Sequence, residues 1–227
     1  MTDLFQFEWS VDQSGYDLGR RRRASDEPEL LWIDPKRGRW GSSLEYEVVE
    51  RRGGPLRYYR PREEFPVLWR RFATTCVDSE SVLEFVTEFG LLGVDGENPV
   101  IDSVPAICAT ADLLRQTAGR LDGGDRKAAV RLINSARPKL SGRIVWADSL
   151  EITAEFRPIP LTLRSELLLQ ACEAITGKHE YRKCRNDGCR EWFRIDPGRG
   201  AKTKRREFCS DRCRAAYAYR HKTKGVH

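Results

Sequence analysis

The sequence predicts an α+β chain, mainly helical, that ends in a small metal-built module of treble-clef type. Three patterns carry this expectation. Apolar residues recur at helical spacing in five segments between residues 63 and 175. A period of two marks short strands before and after them. Two close cysteine pairs follow, Cys184 with Cys189 and Cys209 with Cys213.

Residues 1–27 hold no steady period and include the run Arg20-Arg21-Arg22-Arg23. They read as a mostly extended or flexible arm, in which Phe5, Phe7 and Trp9 alternate like a short strand. Residues 28–176 read as one α+β domain. It opens with Leu30–Ile33, the alternating Leu44–Val49, a Gly53-Gly54-Pro55 turn and Leu56–Tyr59, together a small antiparallel meander. Phe65, Leu68, Trp69 and Phe72 start the helical region over 63–75. Val82, Phe85, Val86 and Phe89 follow on a second helix, with Ser79 or Ser81 as its cap. Val104 to Ala118 marks a third helix, and Asp125 to Ala136 a fourth, ended by Pro138. Ile144 to Phe156 reads as a hairpin or two short strands. Leu161 to Ile175 is a fifth helix, with Leu167, Leu168, Ala171 and Ile175 on one face and Gly177 as its stop. Cys76, Cys108 and Cys172 sit in these apolar patterns as small hydrophobes.

Residues 177–227 carry the chemistry. The spacing is C-x4-C, a 19-residue gap, then C-x3-C. Asn186-Asp187-Gly188 bends the chain between the first two thiols. Trp192 and Phe208 flank the loop as a small apolar core. Ser210 caps a helix whose first turn holds Cys213. Four sulfurs from a knuckle, a hairpin and a helix N-terminus supply the ligands of one structural Zn2+. His179, His221 and His227 stay outside that set. No P-loop, G-x-S-x-G or H-E-x-x-H motif is present, and no residue is assigned a catalytic role, so the chain does not read as an enzyme.

Charge points the same way. The chain of 227 residues carries a net +6. Residues 178–224 alone hold 16 Lys or Arg against 6 Asp or Glu. A segregated cationic block suits a polyanionic partner. The candidate phosphate contacts are Arg199, Lys202, Lys204, Arg205, Arg206, Arg212, Arg214, Arg220 and Lys222. At 100° per residue, Ala216, Tyr217 and Arg220 share the face of Cys213 and cover the knuckle. Asp211, Ala215, Ala218 and Lys222 lie opposite, a slim face that allows close approach to a groove. No apolar run approaches membrane-spanning length and no secretory leader is read, so an intracellular, cytoplasmic setting is expected, where paired thiols favour metal over disulfide.

The residues Tyr181-Arg-Lys-Cys184-Arg-Asn-Asp-Gly-Cys189-Arg-Glu-Trp-Phe193 and Phe208-Cys209-Ser-Asp-Arg-Cys213-Arg-Ala-Ala resemble the CGNR-type zinc finger of bacterial transcription regulators. In that family the finger follows a helical domain called ABATE, associated with stress-induced regulation. Leu161–Ile175 and the segment Val82–Gly93 are similar to parts of that domain. The family's second pair is C-x4-C followed by Gly-Asn-Arg; here it is C-x3-C followed by Arg-Ala-Ala. The resemblance implies that Cys184, Cys189, Cys209 and Cys213 hold zinc. DNA binding in transcriptional regulation is the leading expectation, with the first domain serving as sensor of an unknown small molecule or as a homodimerisation unit. Structured RNA as the partner, or a protein–protein adaptor with a scaffolding zinc module, are the alternatives.

Overall fold

A computed structural model of the chain describes residues 7–22, 32–34, 39–41, 45–94, 99–136, 140–146, 154–177, 180–189, 191–195 and 206–223. Helices and small sheets are mixed, as an α+β chain requires. The strands are β1 (Trp9–Asp12), β2 (Tyr16–Arg22), β3 (Trp32–Asp34), β4 (Arg39–Gly41), β5 (Glu45–Arg51), β6 (Leu56–Tyr59), β7 (Ile101–Ser103), β8 (Leu140–Trp146), β9 (Ala154–Pro160), β10 (Glu180–Lys183) and β11 (Trp192–Ile195). The helices are α1 (Pro61–Glu64), α2 (Leu68–Thr75), α3 (Ser79–Phe89), α4 (Val104–Asp122), α5 (Arg126–Ser135), α6 (Leu163–Thr176) and α7 (Asp211–Thr223).

The first expectation to change is the arm. Trp9 and Val11 are buried in the core, and Trp9 donates its indole N–H to the Leu91 carbonyl at 2.7 Å. Arg20, Arg21 and Arg22 of the arginine run form the end of strand β2, antiparallel to an acidic strand. Asp17 faces Glu50, Arg20 faces Glu47, and Arg22 faces Glu45. Two of these three cross-strand positions set a cation opposite a carboxylate, which favours pairing. Periodicity missed this because β2 is polar on both faces. Residues 1–6 and 23–27 of the expected arm lie outside the described residues.

The expected meander also pairs differently. β5 lies between β2 and β7, and β6 pairs with β1, all antiparallel. The Gly53-Gly54-Pro55 turn therefore joins two sheets. A buried carboxylate explains the turn. Asp12 accepts hydrogen bonds from Ser14 N (2.8 Å), Gly53 N (2.9 Å), Gly54 N (3.1 Å) and Arg51 Nε (3.4 Å). A Cβ at Gly54 would run into Ser14 and Asp12 itself, so only glycine lets the turn close.

Asp12 makes a pH prediction. Burial pushes its carboxyl up, but the donors Ser14, Gly53, Gly54 and Arg51 outweigh burial and hold it below the ordinary value of 3.8. The stabilisation is therefore fully present above that ordinary value. It disappears as pH falls through the lowered native value. Asp12→Ala is expected to lose roughly 2–4 kcal/mol at pH 7, because buried donors are left unmatched. Urea melts of both proteins should show this gap at pH 7 and a smaller one at pH 3; an equal gap at both would refute the assignment.

Helix boundaries follow local chemistry. Pro66 restricts Phe65 and splits the expected 63–75 helix into α1 and α2. Asp78, not Ser79 or Ser81, caps α3. Its Oδ1 accepts from Ser81 N at 2.9 Å, while Ser81 Oγ accepts from Asp78 N at 3.1 Å. Asp125 caps α5 and Thr162 caps α6. Gly177, at φ +76°, ends α6 in the left-handed region, as its sequence position implied. β8 and β9 form the expected antiparallel pair.

α6 is buried on nearly every side, against α1, α2, α4 and α5. The expected single apolar stripe is thus too narrow. Glu166 and Gln170 lie inside because partners reach them. Arg62 meets both Glu166 carboxylate oxygens at 3.2 and 3.3 Å, and Gln170 Nε2 donates to Glu166 at 3.1 Å. Trp69, Phe72, Phe85, Ile107 and Leu114 complete the core. Burial pushes the Cys108 thiol up to about 11 and raises Cys76 and Cys172 as well, in keeping with inert core thiols. Among the described residues, no helix is long and apolar enough to cross a membrane.

Candidate metal centre

β10 and β11 pair antiparallel, with Lys183 opposite Trp192, and the knuckle Cys184–Cys189 is the turn between them. Cys184 N donates to Glu191 O at 2.9 Å, and Cys189 N donates to Asn186 O at 2.7 Å. The strand that completes the hairpin therefore precedes the first thiol. Glu207-Phe208, which leads back to Cys209, is irregular and is tied to the knuckle by Arg185 N donating to Glu207 O at 2.9 Å. Ser210 then caps α7, accepting from Cys213 N at 3.3 Å as expected.

These elements bring four thiols together. The Sγ atoms of Cys184, Cys189, Cys209 and Cys213 all lie within 4.8 Å of one another. Cys189 to Cys209 is 3.7 Å and Cys209 to Cys213 is 3.5 Å. A tetrahedron with metal–sulfur bonds of about 2.3 Å has edges of about 3.8 Å. These two separations match that edge, and the four thiols lie close enough to coordinate one metal ion.

The thiols are not equivalent. Burial pushes Cys209 up to about 12, with Cys213, Cys189 and Cys184 crowding it. Cys189 is raised chiefly by burial. Cys213 falls to about 6, because the Ser210 hydroxyl, then Asn186 and Cys209, donate to its sulfur. Its place in the first turn of α7 adds the pull of the helix N-terminus. Cys213 consequently carries the most anionic sulfur of the four, and a metal held by all of them would require the raised thiols to give up their protons.

Supporting residues lock this arrangement. Arg220 donates to Asn186 Oδ1 at 2.8 Å, and a Cβ at Gly188 would come within 2.9 Å of its guanidinium. Arg220 covers the knuckle, as its helical phase implied, and stays exposed on α7. Arg206 donates Nε to the Phe208 carbonyl at 2.9 Å and also reaches the Cys209 carbonyl, with its guanidinium 5.2 Å from the Phe193 ring. It too braces the site. Sequence reasoning missed Asn186, which is 5% exposed and sits between Cys213 and Arg220. The signal was present: an Asn between two close thiols suits a turn, and a buried one needs side-chain partners.

The small core differs from expectation in one member. Phe208 packs on Tyr217 with ring centres 5.2 Å apart, and Phe193 and Ile195 are buried. Trp192 instead faces α2. Its ring lies 4.0 Å from the Arg70 guanidinium, which is 4.8 Å from Trp69 on another side. Arg70 also donates to both carboxylate oxygens of Asp122 at 2.7 and 2.9 Å. Tyr181 meets Trp69 edge-on at 6.3 Å. The knuckle hairpin is therefore seated on α2, with Arg70 as the shared contact.

The remaining cations divide by position. Arg212 and Arg214 are exposed on α7, and Arg214 Nη2 pairs with Asp211 at 3.1 Å in open solvent. Ala215 and Ala218 are exposed on the same helix. Lys222 belongs to α7. Arg199, Lys202, Lys204 and Arg205 lie outside the described residues. Neither a family model, nor a curated protein, nor a solved structure matches this chain.

Proposed function

We propose that the protein binds DNA through a C-terminal treble-clef-like finger built on one structural Zn2+, and acts as a transcriptional regulator of the CGNR-type class. One observation carries the reading. The helix that supplies Cys213 turns Ala216 and Tyr217 toward the knuckle and leaves Arg212, Arg214, Ala215 and Ala218 exposed. A slim, alanine-lined face flanked by cations admits a nucleic-acid backbone, and its cations reach phosphate. The alanines are not covered by the helical body, which removes a packing explanation for them. Zinc suits an all-thiolate tetrahedral set, and a closed set leaves no position for catalysis.

Five phosphate contacts, from the basic loop and α7 together, give a log–log salt slope of about −4 to −5 on duplex DNA. Titration between 50 and about 200 mM salt measures it. A flat response removes the nucleic-acid reading, and preferential binding of structured RNA in competition would move the partner from DNA to RNA.

A further inference from the structure

A cleft of about 340 Å3 lies between β1, β6 and the segments that enter α4 and α6. Its walls include the apolar groups of Trp9, Leu56, Leu91 and Pro160. Three residues that carry side-chain donors line the same cleft: Arg51, Tyr16 and Ser10. Arg51 uses only Nε, toward Asp12 at 3.4 Å, so both its Nη groups have no partner among the described residues. The Tyr16 oxygen accepts from Asp12 N at 2.9 Å, which leaves its O–H to donate. Burial raises the Tyr16 hydroxyl above its ordinary value, so it keeps its proton at neutral pH. The one carboxylate lining the cleft, Glu8, is engaged by Arg60 at 3.2 Å.

Donors without a free acceptor call for an oxyanion, and the apolar walls call for a hydrophobic body. The volume falls at the small end of ligand sites, roughly 300–1,000 Å3, which suits a single ring rather than a nucleotide. The planar Arg51 fork matches a carboxylate. We propose that this cleft binds a small carboxylic acid with an aromatic or branched aliphatic body, its carboxylate on Arg51 and the Tyr16 hydroxyl and its body against Trp9 and Leu56. The site stands apart from the cysteine centre and does not rest on the nucleic-acid reading.

The test uses the full chain with three probes: phenylacetate, its neutral analogue phenylacetamide, and inorganic phosphate. Calorimetry and ligand-observed NMR should give phenylacetate a dissociation constant on the order of 0.1 mM. The amide lacks the charge and phosphate lacks the body, so each should bind at least about tenfold more weakly. Phenylacetate at ten times its dissociation constant should raise Tm by roughly 3–6 °C. Arg51→Gln should weaken phenylacetate by about tenfold or more. Because that change also removes a contact to Asp12, Ser10→Leu serves as a second variant that narrows the cleft and leaves Arg51 in place; it should weaken binding by a similar factor. Absence of phenylacetate binding at about 10 mM overturns the proposal. So does equal binding of the amide or of phosphate, or undiminished binding in a correctly folded Ser10→Leu protein.

Discussion

Cys184→Ser is expected to abolish metal binding and unfold the knuckle. Cys184 is the most buried of the four thiols, at 6% exposed, and its backbone N–H already closes the hairpin on Glu191 O. A serine hydroxyl is a poor zinc ligand at neutral pH, and it leaves three thiols crowded without the ion that reconciles them. Structural zinc contributes roughly 10–16 kcal/mol of apparent binding energy in small modules, far more than the few buried side chains such as Phe193 and Ile195 supply. Metal analysis should therefore fall from about one zinc per chain to none. Limited proteolysis should open the chain after Lys183. The helical body should survive but lose the contacts of Tyr181 with Trp69 and of Trp192 with Arg70, a cost of roughly 1–3 kcal/mol. Chelation of the wild-type protein should reproduce the same pattern. A chelated protein with unchanged circular dichroism and protease resistance would refute a structural metal.

The second large effect belongs to α7. Reversing both Arg212 and Arg214 to Glu is expected to weaken duplex binding on the order of a thousandfold at 0.15 M salt. At that concentration each phosphate contact contributes roughly fivefold through counterion release, so neutralising two costs about thirtyfold, and reversal about squares it. The salt slope should flatten by about two from the lost contacts, and by more from the added repulsion. The fold should hold, because both side chains are exposed and the Arg214–Asp211 pair is solvated and contributes little. Added carboxylates in the first turn of a helix also favour its dipole. Zinc content is the control. Retained metal with lost binding supports the nucleic-acid reading; retained metal with unchanged binding makes the module a scaffold for protein contacts instead.

The reversal is placed at Arg212 and Arg214 because the structure sorts the basic residues. In the sequence, Arg206, Arg212, Arg214 and Arg220 are alike. In the fold, Arg206 and Arg220 are exposed but also hydrogen-bond the Cys209 carbonyl and Asn186, whereas no contact of Arg212 or Arg214 reaches the thiols among the described residues. Arg→Ala changes at those two sites should therefore act through the metal centre, and at Arg212 and Arg214 through the partner.

Residue spacing by itself determined the four thiols, the cap at Ser210, the stop at Gly177 and most helices of the body. Each of these depends on neighbours within a few turns of chain, so local periodicity and the conformational limits of Gly, Pro and Ser are sufficient. Strand partners were beyond it. β2 carries charge on both faces, and its match to the acidic β5 lies beyond strands β3 and β4, a span that no short window joins. Only the tertiary structure decided that Asp12 and Glu166 are buried, that Trp192 rests on Arg70, and that Arg220 grips the knuckle while Arg212 does not. A charged side chain reads the same whether water or a distant partner satisfies it, and the difference appears once the chain has brought that partner within hydrogen-bonding reach.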